Sequence, residues 1–178
     1  MNTVSPVRVV VAALVAAAVF FVPMFQTAYA ATNATATSIT TINIDADGRV
    51  HIIHSDGHEI IPPKEKGQVS VASAAVASDN LTAGWLVEYA NCCTSYPIPL
   101  TLVLYRPGRP LRRLGNGMMI CDWHFEAGGK QVAFSTNTVH GDLAPQYELR
   151  DTQTGRLIAK WDGHLNIESP AWATRLKS

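Results

Sequence analysis

What this chain has little of narrows it most. It holds three cysteines and no C-x-x-C pair, so neither a zinc ribbon nor a thioredoxin-like motif is written in it. No G-x-S-x-G, H-E-x-x-H or glycine-rich phosphate loop occurs, and no motif calls for a cofactor. Charge is sparse, 16% of residues, and balanced at 14 Lys+Arg against 14 Asp+Glu. A general nucleic-acid binder would show a basic excess, so that class is excluded. Beyond residue 30 no stretch sustains helical spacing for three turns.

The longest apolar run is short and lies at the N-terminus. A polar start with Arg8 leads into Val9–Val22, then Pro23, then the small-residue site Ala28-Tyr29-Ala30. That order reads as a secretory signal peptide, with a signal helix, cleaved after Ala30. The run falls short of the about 20 apolar residues of a membrane span, so membrane contact is expected only through an uncleaved signal segment. No cysteine follows the run closely, which argues against a lipid anchor. The mature chain is expected in a secreted or periplasmic compartment. Residues 31–41 (ATNATATSITT) are small and hydroxylic and read as a flexible leader. The sequons at Asn33 and Asn80 matter only in a host that glycosylates exported proteins.

What remains, residues 42–178, is long enough for a single β domain with one core. Apolar alternation flanks glycine turns in ITTINI-DADG-RVHIIH, in HSDGHEII, in LTLVLYRPGRPLRRL and in QYELRDTQTGRLIAKW. Val, Ile, Thr, Leu and Tyr dominate these runs, so the reading is all-β and antiparallel.

The turns also repeat at long range. Gly57, Gly108 and Gly155 centre three strand–turn–strand units, spaced by 51 and 47 residues. Between successive centres lie matching halves, VSVASAAVASDNLTAGWLVEY and MMICDWHFEAGGKQVAFSTN, whose second strands carry Trp85 and Phe134. A period near 50 with four short strands per unit suits propeller blades. The stretch WHFEAGGKQVAFSTN…YELRDTQTGRLIAKWDG resembles the WD-repeat-like blade of TolB-type proteins, with AGGK where that family has PDGK. The resemblance implies two to three β-propeller-like four-stranded blades, over about 42–66 (partial), 69–115 and 118–163, used for binding or scaffolding. A β-sandwich is the alternative. So few blades leave edges and a face open. Self-association, collapse into a sandwich, or cover from the chain ends would each answer this, and Pro62, Pro63, Pro97, Pro99, Pro107 and Pro110 sit where they blunt strand margins.

The cysteines lie in EYANCCTSYPIPL and in MICDW. A Cys92–Cys93 ring is strained, because adjacent Cα atoms sit about 3.8 Å apart, below the usual disulfide range. If the blade reading holds, the Asn91–Ser95 loop and the start of the next blade share one end, and Cys121 is expected to bridge Cys93 or Cys92. That would close about 28 residues and contribute roughly 3–4 kcal/mol. Thiolate metal or redox chemistry is disfavoured by the spacing.

Three polar groupings invite chemistry. On an extended strand Cys121, Trp123 and Phe125 point one way, while Asp122, His124 and Glu126 form a polar stripe on the other, able to do acid–base work or hold a hard cation. His51 and His54 face opposite sides of their strand and His58 lies across a turn, so no shared metal site is expected. DADG has the start of a calcium loop but Asp56 where a Glu is needed. Arg106, Arg109, Arg112 and Arg113 surround a Pro-Gly turn and suit a phosphate, an acidic glycan or an acidic partner. Two readings follow. One is an exported non-catalytic module that binds a protein or envelope ligand through Asn91–Tyr96, with the arginine tip as a second site. The other is a small exported hydrolase, metal-assisted or not, that uses Asp122, His124 and Glu126.

Overall fold

The structure is a computed structural model, and it describes residues 37–141 and 143–177. The expected signal peptide, its expected cleavage site and most of the expected leader lie outside these residues. Among the described residues no helix is long and apolar enough to cross a membrane.

Among the described residues eleven strands form three antiparallel meanders. The first sheet holds β1 (Ile39–Ile44), β2 (Val50–His54) and β3 (Glu59–Ile60), in that order. The second holds β4 (Gln68–Val76), β5 (Ala83–Tyr89), β6 (Ile98–Tyr105) and β7 (Arg112–Leu114). The third holds β8 (Met119–Glu126), β9 (Gln131–Asn137), β10 (Gln146–Asp151) and β11 (Leu157–Asp162). The fold is therefore all-β, without a closed barrel. β1 begins inside the stretch read as leader. Ile39 is fully buried and its N–H donates to the Asn80 carbonyl, so one apolar residue among hydroxyls is enough to start the strand.

The second sheet explains the architecture, because it is buried on both faces. Trp85 and Val87 of β5, with Val103 and Tyr105 of β6, pack against Ile39, Val50 and Ile52 of the first sheet. The alternate residues Leu86, Leu102 and Leu104 pack against Ile120, Trp123, Val132 and Phe134 of the third. A strand covered on two sides loses its polar alternation, which is why β5 reads as a run, AGWLV. Gly84 sits where the second and third sheets approach most closely: a Cβ there would lie 2.9 Å from Cη2 of Trp123 and 3.0 Å from Cδ2 of Leu104. Trp123 meets Phe125 edge to face, ring centroids 5.2 Å apart.

The far face of the third sheet is covered by the chain's own C-terminal segment, residues 163–177. Ala173 and Leu176 are buried against Ala133, Tyr147 and Leu149, with Leu165, Trp172 and Trp161 packed around them. Ser135 Oγ donates to the Lys177 carbonyl at 2.5 Å and the Lys177 N–H donates to Asp122 Oδ2 at 3.0 Å. This strap covers a face, where the sequence suggested that the ends would cover edges.

One strand departs from simple alternation. The β8–β9 register shifts between Ile120 and Asp122, which leaves Cys121 in a bulge. Ile120 and Trp123 consequently enter the same core cluster although an odd number separates them. Cys121 does not share the core-facing row with Trp123 and Phe125, as uninterrupted alternation required.

Candidate functional site

A meander sends alternate connections to opposite ends, so the candidate residues separate into two groups. The β5–β6 loop and the segments before β8 and after β9 lie at one end, the cysteine end. The β4–β5, β6–β7, β8–β9 and β10–β11 turns lie at the other, the arginine end. Asn91–Tyr96 and the arginine tip are therefore two sites and not one surface.

At the cysteine end, Asn91 Nδ2 donates to Thr94 Oγ1 at 3.2 Å, and that hydroxyl donates to the Tyr96 carbonyl at 2.6 Å, so the loop is braced internally. Tyr96 projects from it, 57% exposed. All three thiols are free. The bridge expected from Cys121 to Cys93 or Cys92 is not formed: the short sulfur contact is within the vicinal pair, Sγ to Sγ 2.7 Å, on the exposed loop. Cys121, in its bulge, turns its thiol toward the Met119 carbonyl. The Cys92 contact pushes the Cys93 thiol up and burial pushes Cys121 up, so both favour the protonated form over the thiolate that reacts or binds metal. Among the described residues no three His, Cys, Asp or Glu side chains are gathered as metal ligands.

Two grooves flank the start of β6 at this end. One, of about 310 Å³, is lined by Tyr89, Leu100, Leu114 and the backbone of Gly115 and Gly117. The other, of about 500 Å³, is lined by Pro99, Ile120, Cys121, Asn137 and His140. Pro99 and Leu100 form the ridge between them.

The polar stripe of β8 lines neither groove. His124 Nε2 lies 2.7 Å from Glu126 Oε1, and Arg175 of the strap pairs with the same carboxylate. Asp122 accepts the N–H of Trp123 on one oxygen and that of Lys177 on the other. The three residues are brought together by the strap.

The four arginines divide. Arg113 leaves the tip and grips Glu65 with both arms of its fork, Nε to Oε2 2.8 Å and Nη2 to Oε1 2.7 Å, which holds its pKa up. Arg106, Arg109 and Arg112 line one crevice with Thr82 and Thr152.

Two groupings escaped the sequence reading. Asp79 accepts the N–H groups of Leu81 and Thr82 and the Thr82 hydroxyl, closing the β4–β5 turn, and Arg106 lies 3.4 Å away. The S-D-N triplet before an apolar run was its signal. His51 sits on the outer face of the first sheet between Glu59 (Nδ1, 2.8 Å) and Asp45 (Nε2, 3.1 Å). His54 faces inward, with Nε2 3.1 Å from the Tyr105 hydroxyl.

No protein-family model matches the chain, and no curated protein matches it.

Proposed function

We propose that this chain is an exported, non-catalytic binding or scaffolding module whose stacked meanders serve as WD-repeat-like blades. The observation that carries this reading is the pair of grooves on either side of the Pro99–Leu100 ridge, at the same end as a braced loop that exposes Tyr96. An apolar groove over Tyr89, Leu100 and Leu114, beside one that mixes Pro99 and Ile120 with Asn137 and His140, suits a segment of a protein or envelope partner. The hydrolase reading has no comparable support, because the strap engages one oxygen of Asp122 and one of Glu126.

Site-specific photo-crosslinking in the exporting cell tests the proposal. A crosslinker at Tyr96 is expected to trap a discrete partner that one at fully exposed Ile167 does not. Turnover on a panel of esters, phosphates and glycosides, lost when Asp122, His124 and Glu126 are all changed to Ala, would overturn it.

A further inference from the structure

The arginine end holds a crevice that the proposed function does not use. It lies between the β6–β7 turn of the second sheet and the β10–β11 turn of the third, and its inner space is small, about 20 Å³. That admits one or two oxygen-sized atoms and no more. Three guanidiniums line it.

Their hydrogen bonding is unequal. Arg106 Nη1 donates to Thr82 Oγ1 at 2.9 Å and stands 3.4 Å from Asp79 Oδ2. Arg112 reaches across to the third sheet, where Nη2 donates to the Gln153 carbonyl at 2.7 Å, yet its Nε is buried with no partner. Arg109 has no side-chain partner among the described residues. A buried charged donor left unpaired is costly, so an acceptor belongs beside Arg112 Nε.

Charge indicates which acceptor. Three guanidiniums less the one carboxylate of Asp79 leave two positive charges. Asp151, the other nearby acid, is committed to its own turn, accepting from the backbone N–H groups of Gln153 and Thr154 and from the Thr154 hydroxyl. Those bonds, the Thr154 N–H first, hold its carboxyl below the usual range. A single carboxylate would neutralise half of the excess. A phosphate monoester carries about −1.5 to −2 charges at pH 7 and three acceptor oxygens.

We propose that this crevice binds the terminal phosphate of a larger anionic ligand. One oxygen enters to meet Arg112 Nε, the remaining oxygens face Arg109 at the mouth, and the body of the ligand stays outside. The site spans two sheets, so occupancy ties the second meander to the third. It stands at the opposite end from the grooves, so it succeeds or fails independently of them.

Titration calorimetry of the mature protein with phenyl phosphate tests this, with benzoate as the planar, singly charged comparison. Phenyl phosphate is expected to bind, more weakly as salt rises. R109M, which breaks no internal contact, is expected to weaken binding roughly five- to tenfold. R112K keeps the charge but loses Nε, and is expected to weaken it at least as much, with an unchanged thermal midpoint for R109M excluding misfolding. R113M, whose arginine is held by Glu65 outside the crevice, is expected to leave affinity unchanged. No binding at millimolar phenyl phosphate, equal affinity for benzoate, or equal losses in R113M and R109M would each overturn the proposal.

Discussion

The outer face of the first sheet and the outer face of the third meet the same requirement, ending a stack, in opposite ways. The first presents Thr41, Asn43, His51, Ile53 and Glu59, one apolar residue among polar ones, and no described segment packs over it. The third presents Ala133, Tyr147, Leu149 and Trp161 and is roofed by the strap. Each second-strand aromatic, Trp85 or Phe134, faces the preceding sheet, and the leucines of the second sheet face the following one. The strap therefore occupies the place of a fourth sheet. Composition at the first face and a covering segment at the last do the same work.

The sharpest way to break this comparison is to remove the roof. Truncation before His164 is expected to expose the apolar outer face of the third sheet and produce concentration-dependent self-association by light scattering. Leu176→Ala alone is expected to lower unfolding free energy by about 2–3 kcal/mol in denaturant titration. Paired alanines at Thr41 and Asn43 are expected to change it by less than about 0.5 kcal/mol. Equal losses on the two faces would end the distinction.

A smaller effect is expected between the faces, where the sheets meet. Gly84→Ala forces a methyl against Trp123 and Leu104 and is expected to cost about 1–3 kcal/mol, read from the same titration.

The smallest effect belongs to the outer face of the first sheet. Hydrogen bonds that His51 donates to Asp45, then to Glu59, raise its pKa above the ordinary 6.5. The Arg49 N–H, then His51, lower that of Asp45 below 3.8. His51 therefore contributes fully below pH 6.5, a contribution lost as pH rises through its elevated value. Asp45 contributes above pH 3.8, and its contribution fades as pH falls through its depressed value. Between about pH 5 and about pH 9 the wild type is expected to lose slightly more stability than His51→Gln, measured by thermal midpoint. An identical slope in the two proteins would remove the cluster from the account.

Strands and turns were legible because their signals are local. Asp-Gly and Thr-Gly punctuate alternating runs, and aspartates at 45, 56, 79 and 151 cap their own turns. The stripe of β8 was legible as residue types but not as a contact, since the strap that engages it lies more than 50 residues on. The Cys121 error has a similar origin. Alternation counts residues, and a bulge adds one to a strand without any marker in MICDW. The arginine cluster read as one feature because four cations lie within eight positions, yet Arg113 falls to Glu65, a partner 48 residues away.

The strap also bears on how such a chain can grow. A closed ring fixes its number of sheets by geometry, since the rotation between neighbours must return to the start. A stack ended by its own tail has no such count. Copying the unit from Met119 to Asp162 would leave the first copy on the sheet that offers leucines and the last beneath the strap that accepts an alanine-and-tyrosine face. The one new contact would be copy on copy, where an outer face with Ala133, Tyr147 and Leu149 would have to receive an inner face with Ile120, Trp123, Val132 and Phe134.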